Sequence, residues 1–209
     1  MITFAYASDQ SLMVYLDSNQ SVVKLLRLLE AGPIAGVRNL HPAYASLLIV
    51  FDSLARDHAA IESIVRERTE QLDSIVLPEP RTVEIPVRYG ADDGPDLDDL
   101  ARLHNLAPAR VVELHSSAIY HVSFLGFVPG FAYLGGLPAS LSTPRLETPR
   151  KRVPKGSVAI GGSHTGVYPF ETPGGWRLIG RTPLEIFDAD SAGLSRLRIG
   201  DQVRFTPIA

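Results

Sequence analysis

The sequence predicts an α+β protein in two parts: a small N-terminal α+β layer over residues 1–80 and a turn-rich all-β barrel or sandwich over residues 81–209. Three observations predict this. Apolar residues in the first part recur at the two periods that mark strands and amphipathic helices. Helical periodicity then stops at Tyr120, and residues 126–183 hold 11 of the 17 glycines and 8 of the 16 prolines. Between these turn signals lie short β-prone runs, the pattern of many short strands closing on one another.

Taken in order, ITFAYA and SLMVYL read as strands. In SNQSVVKLLRLLEAG, Val22, Leu25, Leu26 and Leu29 share one helical face, Ser18 or Asn19 can cap its start, and Gly32 with Pro33 ends it. SLLIVFD, residues 46–52, reads as a buried strand. HAAIESIVRERTEQL predicts a second amphipathic helix with Ile61, Ile64, Val65 and Leu72 inward. Strands with two helices in this order suggest a ferredoxin-like layer. LPEPR, residues 77–81, is the linker candidate, and VEIPVRY alternates as a strand leading into the second part. Two short helices are expected in DGPDLDDLARLHNLAPARVVELHSS, the second opened by Pro108. YHVSFLGF, SVAIGG, WRLIG, LEIFD and QVRFTPI then read as strands.

Composition narrows the function. Of 209 residues, 45% are apolar and 21% charged, the profile of an ordinary globular chain. A net charge of −3 gives no reason to expect nucleic acid, and the absence of cysteine removes disulfides and thiolate chemistry. No apolar run approaches the roughly 20 residues that span a bilayer, and MITFAYASDQ lacks a signal peptide's basic start, so a cytoplasmic protein without membrane contact is expected.

Two glycine motifs fall short of known chemistry. GGSHTG, residues 161–166, spaces its glycines as a P-loop does, yet Val167 and Tyr168 stand where lysine and Ser/Thr are needed. Around Ser163 the closing glycine of a nucleophile elbow comes one residue late, at Gly166. The six histidines lack the spacing of a helical zinc site, so no metal is expected. PRLETPRKRVPK, residues 144–155, is either a solvated, proline-extended loop or an anion clamp built on Arg145 and Arg150. FLGFVPGFAYLGGLP displays Phe127, Phe131 and Tyr133 around a Pro129-Gly130 turn. GVYPFETPGGWRLIGRTP adds Tyr168, Thr172, Arg181 and the only tryptophan, Trp176. Together these make a turn-rich pocket or partner surface, with barrel-corner core as the plain alternative.

The blocks YGADDGPDL, ELHSSAIYHVSFLGFVPGFAYLGGLP, TPRKRVPKGSVAIGGSHTGVYPFETPGGWRLIGRTP and GDQVRF resemble the family of KipI and the B subunit of 5-oxoprolinase, which is related to allophanate hydrolase subunit 1. The resemblance covers nearly the whole chain. It implies an N-terminal α+β domain followed by a cyclophilin-like β-barrel. It also implies an ATP-hydrolysing 5-oxoprolinase that opens 5-oxo-L-proline to L-glutamate together with a KipA-type C subunit and a LamB/YcsF-type A subunit, this chain being inactive alone. ATP and Mg are then substrates of the complex and are not assigned to this chain. Other branches suggest a histidine kinase inhibitor or a component of a urea amidolyase, and the fold alone suggests a prolyl isomerase. On this reading Arg145, Arg150 and Arg181 face an anion. His115, Tyr120, His164, Thr165, Tyr168 and Thr172 are polar pocket groups, and Phe127, Phe131, Tyr133 and Trp176 are walls. Many relatives carry glutamine where this chain has His164, a group that can titrate near neutral pH.

Overall fold

The computed structural model describes residues 2–191 and 193–209. The chain divides into two compact units, one ending at Glu79 and one beginning at Pro80.

The first unit runs β1 (Thr3–Ser8), β2 (Ser11–Tyr15), α1 (Asn19–Ala31), β3 (Val37–Pro42), β4 (Ser46–Phe51) and α2 (His58–Thr69). Its sheet is antiparallel throughout, in the order β1-β2-β4-β3. Strands β2 and β3 are joined through α1 with β4 between them, a split βαβ unit. This is the ferredoxin-like layer with its closing strand placed first in the chain. Leu12, Val14, Leu47, Ile49 and Phe51 are fully buried, as are Val22, Leu25, Ile61 and Val65 of the helices. Burying each such side chain stabilises the unit by about 1.5–3 kcal/mol. Ser18 caps α1 by accepting from the Ser21 amide, and Asp57 caps α2 through Ala60. The second helix is shorter than its pattern suggests: it stops at Thr69, and Leu72 is buried from a separate 3-10 turn at Leu72–Ser74.

The second unit contains β5 (Thr82–Tyr89), α3 (Leu97–Leu103), α4 (Pro108–Ser117), β6 (Tyr120–Leu125), β7 (Ala132–Gly135), β8 (Arg150–Val153), β9 (Ser157–Gly161), β10 (His164–Val167), β11 (Thr172–Gly174), β12 (Arg177–Arg181) and β13 (Gln202–Pro207). Seven strands close a barrel in the order β10-β7-β6-β13-β5-β12-β9, and β8 pairs with β11 in a separate ribbon. A ring with an odd number of strands cannot alternate direction all the way round. Its one parallel pair is β5 with β13, the first and last strands of the unit. Arg81, at the start of this seam, bonds Asp201 and the Arg196 carbonyl, fastening the two ends together.

Strand β9 shows how the barrel wall is used. All five residues are buried. Val158 and Ile160 face the interior with Ile85, Tyr120, Leu134 and Phe205. Ala159 lies in a second cluster with Phe131, Val153, Tyr168, Trp176 and Leu178, which the β8–β11 ribbon covers. The expected strand LEIFD is absent. The Leu184 amide turns back to Thr182 Oγ1, and the segment shares only an isolated Phe187–Ser195 bridge. Conversely, Arg150–Val153 is a paired strand rather than wholly a solvated loop, because Val153 is buried and its register partner is Thr172.

Candidate functional site

Three segments that glycine and proline force into turns meet outside the barrel. The first is Gly126–Phe131. Val128 donates its amide to the Gly126 carbonyl at 2.9 Å, closing a three-residue γ-turn around Phe127 at φ +70°, and Phe131 donates to Val128 to close the Pro129-Gly130 turn. The second is Arg145–Pro149, held by the Leu146 amide on the Gly175 carbonyl. The third is Pro173–Trp176, where a side chain on Gly174 would fall on the Tyr168 hydroxyl. Between them lies a half-open recess of about 260 Å³ lined by Phe127, Phe131, Tyr133, Arg145, Pro149, Tyr168 and the Pro173–Trp176 turn.

The walls are aromatic and interlocked. Phe131 meets Trp176 edge-on at 5.4 Å between centroids, and meets Tyr133, Tyr168 and Phe127 at 5.1, 5.2 and 5.6 Å. The Arg145 guanidinium sits 5.9 Å from the Trp176 ring centre, and among the described residues it has no carboxylate partner. Burial pushes the Tyr133 phenol up, with Arg145 opposing. It pushes Tyr168 up as well, against the Trp176 amide and the Arg145 and Arg150 charges. Both phenols are therefore neutral donors at neutral pH. The recess is thus bordered by interlocked, largely buried rings, with the Arg145 guanidinium over Trp176 and the exposed Phe127 at its mouth.

Asp96 holds two sides of this recess in place. One carboxylate oxygen accepts from Arg150 Nη2 at 2.6 Å, beside Pro149, and the other from the Leu178 amide at 2.7 Å, two residues beyond Trp176. The Asp96 amide donates back to the Leu178 carbonyl. Arg181 lies 3.2 Å from Asp93, which also binds Arg88. Arg150 and Arg181 thus face carboxylates of their own chain, whereas among the described residues Arg145 faces the Trp176 ring and no carboxylate.

His115, Tyr120 and Thr165 lie inside the barrel and not at this recess. Thr165 Oγ1 donates to the Ala159 carbonyl, so it accepts from His115 Nε2–H at 2.9 Å, leaving Nδ1 to accept from the Tyr89 hydroxyl at 2.8 Å. Tyr120 donates to the His115 carbonyl. With His115 fully buried, desolvation lowers its pKa to about 3. Thr172 is buried with its hydroxyl on the Pro173 carbonyl, at the edge of the ribbon. His164, at the start of β10, is half-buried beside Ser163, its pKa lowered by burial and by His121. The GGSHTG run is the β9–β10 hairpin, so it has no helix to complete a phosphate-binding loop. Among the described residues no group of three or more His, Asp or Glu side chains is placed to hold a metal, and no helix is long and apolar enough to cross a membrane. Asp96 carried no recognisable signal in the sequence, since DLDDL reads only as a helix start; Gly174 and Gly175 were visible as turn residues.

The second unit is a closed barrel with an external ribbon and an aromatic recess beside it. Residues 2–197 match the family model of the carboxyltransferase domain, subdomain C and D, and the chain belongs to that family. It is 50% identical over 190 residues to a protein of Escherichia coli O157:H7 named as the B subunit of 5-oxoprolinase, covering 90% of this chain and 82% of the relative. Among solved structures, TTHA0988 is 32% identical with a TM-score of 0.82 over 97% of this chain, which spans 40% of that one. The Kluyveromyces lactis urea amidolyase aligns with all of this chain at a TM-score of 0.80, but at 20% identity and over 15% of its own length it shares the fold alone.

Proposed function

We propose that this chain is the B subunit of a 5-oxoprolinase, acting with A- and C-type subunits to open 5-oxo-L-proline to L-glutamate at the expense of ATP. The relatives' name supports the reaction. The observation in the structure that carries the reading is the half-open aromatic recess with Arg145 on its rim. A lactam carbonyl is a poor electrophile, so hydrolysis draws on ATP to activate it, and a site for such a molecule needs little more from this chain than orientation, exclusion of water and a counter-charge. The recess offers all three, and its open side leaves room for another protein of the complex to complete it.

Reconstitution tests the proposal. This chain is mixed with its A- and C-type subunits, 5-oxo-L-proline, ATP and magnesium. Glutamate formed only in the full mixture supports it, whereas turnover that survives omission of this chain rejects it.

A further inference from the structure

We infer that His121 and His164 form a two-histidine site for a divalent transition-metal ion, Zn or Cu, on the outer face of the barrel. The inference does not rest on the proposed function, since no part of it uses that reaction.

Strand register places the two side chains. Val122 and Leu134 pair within the barrel core, so His121 and its own register partner, Gly135, face outward. On the other side of β7, Thr165 pairs with Leu134 and reaches His115 inside, which sets His164 beside Gly135 on the outer face. His121, Gly135 and His164 therefore make one row across β6, β7 and β10. The two outer backbones of that row are about 10 Å apart, with a single strand between them. Two imidazoles leaning inward close such a gap when both bind one ion at about 2.0–2.1 Å.

Gly135 is what lets them lean. A Cβ there would lie 2.6 Å from His121 Nε2 and 3.1 Å from Ser123 Oγ, so the His121 ring rests over the bare backbone of β7 rather than projecting away from the sheet. Across the row, Ser163 Oγ lies 3.2 Å from His164 Nδ1. A polar partner on one ring nitrogen fixes the tautomer and orientation that present the other to a metal. Burial lowers the pKa of both histidines, and the nearness of His121 lowers that of His164 further. Both rings are therefore neutral at neutral pH, the form that ligates.

The donor set decides the class of ion. Imidazole suits Zn and Cu, whereas Mg and Ca prefer carboxylate and carbonyl oxygens. Among the described residues no group of three or more His, Asp or Glu side chains converges on an ion, so the chain supplies two ligands and leaves the remaining positions to water. That is an open site, unlike the closed four-ligand cage of a structural zinc.

Trp176 can report on it. A Cβ on Gly161 would lie 2.5 Å from the indole, so that ring covers the register partner of His164, close enough for bound Cu to quench its emission. The full chain is titrated with CuCl2 by fluorescence and with ZnCl2 by calorimetry at neutral pH. The expected result is saturable quenching and one Zn bound per chain. His121→Gln and His164→Gln should each weaken Zn binding at least tenfold, with the unfolding midpoint of the metal-free chain unchanged. Gly135→Ala should weaken it too, by pushing the His121 ring aside. His41→Gln, at an exposed histidine of the first unit, should bind as the wild type does. Histidine ring resonances of the unaltered chain give a measurement free of substitution: those of His121 and His164 should shift on adding Zn, while those of buried His115 stay in place. Absence of saturable binding, wild-type affinity in His121→Gln or His164→Gln, an equal loss in His41→Gln, or shifts confined to other histidines would each overturn the inference.

Discussion

Lowering the pH from 7 to 5 should weaken the barrel unit through one buried side chain. His115 is fully buried, with both ring nitrogens bonded, Nδ1 to the Tyr89 hydroxyl and Nε2 to Thr165. A second ring proton would have to sit on Nδ1, which already accepts from Tyr89, and the imidazolium would have no water around it. Its folded pKa is accordingly about 3, against 6.5 when exposed. The unfolded chain therefore takes up a proton below about pH 6.5 while the folded one does not. The contribution is fully present above pH 6.5 and falls as pH drops from there towards 3. At about 1.4 kcal/mol per unit, His115 alone accounts for a loss of roughly 2 kcal/mol between pH 7 and pH 5. Urea unfolding followed by Trp176 emission measures it in the correct unit, because the only tryptophan lies there. The comparison is with His115→Gln, which keeps polar atoms but cannot titrate. The wild type should lose about 2 kcal/mol more than the variant over this interval, and the His115 ring resonances should not shift. Equal losses, or a His115 ring that titrates near pH 6 in the folded protein, would refute the reasoning.

Asp96→Ala leaves the Arg150 guanidinium and the Leu178 amide without their acceptor, so it should cost about 3 kcal/mol in urea unfolding and shift Trp176 emission; Asp96→Asn, which keeps an acceptor oxygen, should cost less. Gly161→Ala places a methyl group 2.5 Å from the Trp176 ring, and overpacking there should lower stability by about 1–3 kcal/mol, read by thermal unfolding. Phe127→Gly should raise stability by about 1 kcal/mol by relieving the positive φ, read by urea unfolding. A loss of stability at Phe127→Gly would assign that ring to the core.

Much of this architecture was legible in the sequence where one physical term dominated. The α1 face of Val22, Leu25, Leu26 and Leu29 is buried as its spacing requires, and Ser18 caps the helix. The Pro129-Gly130 turn sets Phe127 and Phe131 together as its chemistry dictates. What escaped depended on partners distant in the chain. Strands β8 and β11 are short and built from a basic run and a Thr-Pro-Gly triplet, neither β-prone, and they exist because each supplies the other's hydrogen bonds. LEIFD failed for the opposite reason: a fitting local pattern with no neighbouring strand to pair. Among the site residues, Phe127, Phe131, Tyr133, Arg145, Tyr168 and Trp176 meet at the recess. The commitments of Arg150 and Arg181 could not be read, because nothing in the chain order places them beside Asp96 and Asp93.

The position of the recess follows from the size of the barrel. A barrel of about eight strands is only just wide enough for its own side chains, and this one has seven. Its interior is taken by Tyr120, Phe205, Leu134 and Ile85, with the His115 ring inserted from α4 at 4.6 Å from Phe205. The interior is therefore filled, and rings on the outer surface cannot stay exposed in a layer of their own. The β8–β11 ribbon solves this by covering Ala159, Val153 and Leu178 as a second small core. The recess is the place where that core is left open, between the ribbon's Gly174-Gly175 end and the strained turn at Phe127. Trp176 thus completes the core over Gly161, with only 5% of its surface exposed and the Arg145 guanidinium 5.9 Å from its ring centre.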